Sequence, residues 1–116
     1  MKKYTQFLGL IPGLLWFNLA VAGGNVITVQ ERDIEYAPDA ITLQLGQTLH
    51  LVNKDPFFHN SRISELNADG SEGTVVLKAK KELPNDETNF KFSKPGKYKI
   101  RCMVHDGMTA LVTVNR

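Results

Sequence analysis

Seven consecutive residues, Cys102-Met103-Val104-His105-Asp106-Gly107-Met108, place a thiol, an imidazole and a thioether at C-x2-H-x2-M spacing. These are the donor types that soft and borderline metal ions select. A tight loop can fold all three side chains toward one point, but a further donor must come from elsewhere. His59 is the candidate. It lies in Asp55-Pro56-Phe57-Phe58-His59-Asn60, where proline and aromatic neighbours would wall off a dry site. Two imidazoles, a thiolate and a weak axial thioether make up the donor set of a blue-copper centre. Cys102 is the one cysteine of the chain, so no intramolecular disulfide can form. A lone thiol of this kind can be a buried inert group, an intermolecular disulfide or a metal ligand.

The elements that must position these donors read as short strands. Apolar and polar residues alternate in runs separated by Gly, Pro, Asn and Asp. The runs are Asn25–Gln30, Ile41–Leu45, Thr48–Asn53, His59–Ile63, Thr74–Lys78, Thr88–Phe92, Lys97–Cys102 and Thr109–Asn115. Residues 77–83 could form one short turn of helix. Seven or eight strands in a chain of this length predict an all-β, Greek-key β-sandwich. In Lys97–Cys102 the alternation sends Tyr98, Ile100 and Cys102 inward. Lys97, Lys99 and Arg101 form a row on the solvent side, either a solvated face or a docking patch. His50 alternates with Leu49 and Leu51 and reads as an ordinary surface histidine.

The 116-residue chain is 42% hydrophobic and 22% charged, the composition of one folded domain. Residues 1–22 carry Lys2 and Lys3, an apolar run from Phe7 to Val21, and Ala20 and Ala22 at a cleavage point before Gly23. That is the pattern of a secretory signal peptide. The run is broken by Pro12, Gly13 and Asn18, and is shorter than the ~20 residues a membrane span needs. Cleavage would leave 23–116 as the mature domain, exported to the periplasm and free of the membrane. Losing Lys2 and Lys3 takes the 14 basic residues to 12, against 12 acidic ones. A neutral chain lacks the basic excess of a nucleic-acid binder. Three histidines exclude a histidine-rich multi-metal centre.

With the motifs placed, the sequence resembles the cupredoxins, the small blue-copper proteins of plastocyanin and amicyanin type, over nearly the whole mature chain. Leu45–Asp55 resembles their strand leading to an Asn-x-Asp turn, and His59-Asn60 their His-Asn pair. Lys94–Cys102 resembles their Pro-Gly-x-Tyr strand ending in the copper cysteine, and Met108 with Ala110–Val114 their closing strand. The short C-x2-H-x2-M loop is closer to amicyanin. The chain departs from many members in having Val104 before the second histidine, and in placing Asp106 beside it.

The resemblance implies one copper per chain, with His59, Cys102 and His105 in a trigonal plane and Met108 as axial ligand. It implies that Asn60 ties the two ligand loops together by hydrogen bonds, one of them near the Cys102 sulfur. It implies electron exit through His105, ringed by a docking patch of Phe57, Phe58, Met103 and Val104. A metal with four protein ligands has no open position for substrate, so an enzyme is not expected. The expected function is a periplasmic single-electron carrier, monomeric, between a redox donor and acceptor such as a dehydrogenase and a cytochrome. The alternative is a copper storage or delivery protein that does not cycle redox states.

Overall fold

The computed structural model describes residues 24–116; the predicted signal segment 1–22 lies outside them. Nine strands follow one another: β1 (Val26–Arg32), β2 (Glu35–Ala37), β3 (Ala40–Gln44), β4 (Thr48–Asn53), β5 (His59–Leu66), β6 (Glu72–Glu82), β7 (Glu87–Lys91), β8 (Gly96–Cys102) and β9 (Thr109–Asn115). They make a four-stranded sheet in the order β2-β1-β4-β7 and a five-stranded sheet in the order β3-β9-β8-β5-β6. The pairs β1–β4 and β3–β9 are parallel, and the others are antiparallel. This is the all-β sandwich that the strand pattern predicts.

The core lies between the sheets and is built by alternation. Val29, Leu49 and Leu51 point in from the four-stranded sheet, and Ile41, Leu43, Ile63, Ile100 and Val112 from the five-stranded one. Phe90, Phe92 and Tyr98 close the end of the sandwich away from the histidines. Their rings meet in sequence, one pair edge-to-face and the other tilted, at 4.9 and 4.5 Å between centroids, within the range aromatic pairs prefer. The Tyr98 hydroxyl donates to the Lys94 carbonyl at 2.6 Å, so its polar tip is satisfied at the core's edge.

Two local expectations are corrected. Residues 77–83 do not form a helical turn: Lys80, Lys81 and Glu82 pair with Ser61, Asn60 and His59 and extend β6 to 11 residues. Tertiary pairing outweighs the helix propensity of a Lys- and Leu-rich run. The extra strand, β2, is three residues long and folds back on β1 through a turn in which Asp33 and Ile34 both have positive φ, 55° and 60°. Residue type did not signal that turn, since a β-branched side chain disfavours the left-handed region.

The packing sets a contrast between two aliphatic positions. Ile100 is fully buried and Leu111 is 52% exposed. Ile100→Ala is expected to cost roughly 2–5 kcal/mol of unfolding free energy. Leu111→Ala should stay within about 0.5 kcal/mol. Urea unfolding followed by circular dichroism measures both.

Candidate metal centre

His59 is delivered by the loop between β4 and β5, and Asn53 shapes that loop. Its Oδ1 accepts the Asp55 N–H at 2.9 Å, and its Nδ2 donates to the carbonyls of Phe57 (2.8 Å) and Glu82 (2.9 Å). One buried side chain thus pins the loop to itself and to the end of β6. His59 begins β5 with no exposure at all. Its Nε2 donates to Asp55 Oδ2 at 2.7 Å. Asp55 also accepts the N–H groups of Asp33 (2.6 Å) and Ile34 (3.1 Å) from the β1–β2 turn. Burial alone would raise the Asp55 carboxyl; the His59 ring and these two amides outweigh it and hold the group below the usual carboxylate range. Asp55 therefore fixes the proton of His59 on Nε2 and leaves Nδ1 free to bind.

The other donors come from β8 and the loop after it. Cys102 ends β8, points inward as its alternation predicts, and is 3% exposed. The loop closes by hydrogen bonds from Cys102 N to the Met108 carbonyl (3.0 Å) and from Met108 N to the His105 carbonyl (3.3 Å). Gly107 allows this closure with a φ of 80°, a conformation that side chains disfavour. The loop also joins the first ligand segment, because Met103 N donates to the Asn60 carbonyl at 2.9 Å.

The result is a convergence of three electron-pair donors. His59 Nδ1 and His105 Nδ1 are 3.2 Å apart, and Cys102 Sγ lies 3.7 Å from the first and 3.4 Å from the second. All three lie within 4.8 Å of one another. A first-row ion bonded at ~2.0–2.1 Å to nitrogen and ~2.3 Å to sulfur holds its donors at about this spacing. Met108, 2% exposed, is buried at the end of the same loop. The donor types and their spacing fit copper.

The other predicted residues fall as follows. The tie between the two ligand loops is made by the main-chain carbonyl of Asn60. Its side-chain Oδ1 is buried and has no hydrogen-bond partner among the described residues. Phe57, Phe58, Met103 and Val104 are each about 40–45% exposed, so the two phenylalanines are surface and not core. The Phe57 ring stands 5.5 Å from His59 and 5.6 Å from His105, and His105 is half-buried among them. Leu83, 51% exposed in the β6–β7 loop, belongs to the same end of the molecule, through the Asn53 bonds to Phe57 and Glu82. Sequence reasoning missed it, and missed Asp55 as the partner of His59, although Asp55 stands four residues before the histidine. His50 faces outward, between Thr28 Oγ1 (3.0 Å) and Glu87 Oε1 (2.6 Å).

Beneath the site two carboxyl groups meet, with no cation paired to either among the described residues. Glu31 and Glu82 are both buried. Ser61 Oγ donates to one at 3.0 Å and Thr88 Oγ1 to the other at 2.7 Å. The Oε1 atom of each has no donor among the described residues. Burial and the neighbouring Glu82 carboxyl push Glu31 up to about 8.

Fold and site together define a single-copper β-sandwich protein, a cupredoxin. The chain belongs to the copper-binding proteins of the plastocyanin/azurin family, whose model matches residues 23–115. Copper is accordingly its cofactor. Among solved structures it is similar to a reduced amicyanin variant, at 23% identity and TM-score 0.65, covering 82% of this chain and 86% of that one. A Cu(I) form of another amicyanin variant matches at 22% identity and TM-score 0.66, with the same coverage. A copper-containing nitrite reductase from Thermus scotoductus SA-01 matches at 24% identity and TM-score 0.62, over 78% of this chain and 22% of that one. No curated protein matches it in sequence.

The raised Glu31 carboxyl has a measurable sign. A carboxyl at about 8 in the folded chain, against an ordinary 4.5, binds its proton more tightly when folded. Its contribution to stability is complete below about 4.5 and is lost as pH rises through 8. Asp55 and Glu72, both held low, act oppositely and only at more acidic pH. The melting temperature of the metal-free protein should therefore fall between pH 5 and pH 8.5, and Glu31→Gln should flatten that slope.

Proposed function

We propose that the chain is an exported, single-copper electron carrier, with His59, Cys102, His105 and Met108 as the ligands. The observation that carries this reading is the convergence of two Nδ1 atoms and a buried thiol under an apolar surface where His105 is half-exposed. When bound, copper supplies a one-electron couple between Cu(II) and Cu(I).

The chain's own residues do the rest. Asp55 holds the proton of His59 on Nε2, so that Nδ1 needs no rearrangement to bind. Cys102 and Met108 are locked to each other through the main chain, which limits how far the two donors can move apart. Phe57 packs against both imidazole rings, at 5.5 Å from His59 and 5.6 Å from His105. His105, reaching the surface among Phe57, Phe58, Met103 and Val104, is the route by which an electron leaves. Those side chains give a partner protein an apolar surface to cover.

The signal-peptide pattern of residues 1–22 supports export to the periplasm. The amicyanin-like loop supports a redox enzyme, such as a dehydrogenase, as donor and a cytochrome as acceptor. The nitrite reductase is an enzyme of far greater length. Four ligands supplied from one short domain favour a carrier over a catalyst here.

The copper-loaded protein should show one intense visible absorption band at one copper per chain, together with a reversible voltammetric wave. Cys102→Ser should abolish the band. Met108→Leu should keep it and raise the reduction potential, because the weak axial donor is lost. A colourless protein that binds only Cu(I) would instead mean copper delivery. Fractionation of expressing cells should recover a chain that begins at Gly23.

A further inference from the structure

The two outer faces of the sandwich differ in charge. On the outer face of the five-stranded sheet, Arg62 stands opposite Arg101, Ser64 opposite Lys99, and Asn60 opposite Lys81. Lys97 continues the β8 row beside Thr113 of β9. This face therefore carries five cations. The acidic groups facing it are Glu72, opposite Leu66 on β5, and Asp106 at the corner next to the ligand loop. The outer face of the four-stranded sheet mixes Arg32, Glu35, Glu87 and Lys91 around His50. Twelve basic and twelve acidic residues follow position 23, so a positive excess on one face leaves a negative excess elsewhere.

Two of the cations are held in place. Glu72 Oε1 accepts from Arg62 Nη2 at 2.8 Å, and Glu72 Oε2 accepts from Arg101 Nε at 2.9 Å and from Arg101 Nη2 as well. Arg101, then burial, then Arg62 set the Glu72 carboxyl, which stays below the usual range and ionised. The two guanidinium groups are thus fixed across β5, β8 and β6, at low cost in side-chain freedom for whatever meets them. Lys97 and Lys99 form no ion pair among the described residues.

This basic face runs into the apolar patch. Lys81 Nζ lies 4.6 Å from the centre of the Phe58 ring, a cation–π contact at the seam between them. A macromolecule that covers Phe58 and approaches His105 must also lie over Lys81.

We propose that this face is the docking surface for an acidic redox protein, whose carboxylates seat on Lys81, Lys97 and Lys99 while its apolar contact covers His105. The proposal rests on the electron-carrier reading and names the chemistry of the partner. A charge excess along the face that adjoins the exit route at Lys81 steers encounter and orients the complex, and its effect weakens as salt shortens the Debye length to ~8 Å at 0.15 M.

The test uses the reduced, copper-loaded protein and two forms of one ferric probe: basic horse-heart cytochrome c and the same protein succinylated to make it acidic. Stopped-flow kinetics follow transfer of one electron from the reduced protein to ferric haem. The acidic form should react at least tenfold faster at low salt, and its rate should fall as salt rises. Lys97→Glu/Lys99→Glu, with both lysines on a solvent-facing row, should remove most of that advantage and keep the visible band. Equal rates for the two cytochromes, or no effect of the double substitution, would overturn the proposal. So would binding to phosphatidylglycerol vesicles at ~0.15 M salt that requires the same two lysines, since the face would then be a lipid surface. Oxidation by ferricyanide is read alongside: a protein that exchanges no electron even with this small ion fails as a carrier, which is a different failure.

Discussion

A buried carboxylate must have its lone pairs filled, and Asp55 meets that requirement by joining the two sheets at the metal end of the sandwich. It draws two main-chain N–H groups from the β1–β2 turn of one sheet and the Nε2–H of His59 from the first residue of β5 in the other. The turn that offers those amides holds Asp33 and Ile34 at positive φ, which for isoleucine is a strained conformation. Three features that seem separate are therefore one: a strained turn, an ionised acid with almost no exposure, and a histidine with one nitrogen left free. Asn53 extends the same logic, since its amide fixes the loop in which Asp55 sits and binds the end of β6 to it.

The metal end as a whole is polar where it is buried and apolar where it is exposed. Asn53, Asp55, Ser61, Glu31 and Glu82 are hidden, while Phe57, Phe58, Leu83, Met103 and Val104 face solvent. That inversion follows from two needs. Metal donors must be oriented by hydrogen bonds, which brings polar groups inside with partners arranged for them. A redox protein that meets others briefly gains from a surface that sheds water on contact. At the opposite end the order is the usual one, with Phe92 and Tyr98 inside and Lys94 and Lys97 outside.

Much of this was legible in the residues. Alternation placed seven of the strands nearly where they are, and parity alone put Cys102 inward and the Lys97, Lys99, Arg101 row outward. The donor set could be named because thiol, imidazole and thioether recur at a spacing that one loop can fold. What escaped the reading depended on long-range pairing. Residues 77–83 carry the composition of a helix, and only their register against β5 makes them strand. The β2 strand is too short to show a period. Glu31 shares the inward parity of Ile27 and Val29, so its burial was readable, but its partner Glu82 lies beyond the register shifts of β6, where counting by twos fails. Asn60 joins the ligand loops through its main-chain carbonyl, and no residue type announces a carbonyl.

The register shifts in β6 have one more consequence. This strand is the free edge of the five-stranded sheet, 11 residues long, with Thr74 and Val75 exposed on it. A straight edge of that length would be a template on which a second chain could add a strand. Its pairing slips at three points between Ser61 and Leu66, and its outer half carries Lys78, Lys80 and Lys81, all exposed. An incoming copy would meet a bent ladder and a run of three lysines like its own. The irregularity that hid Glu82 from the sequence pattern thus also guards the molecule against fibrous self-assembly.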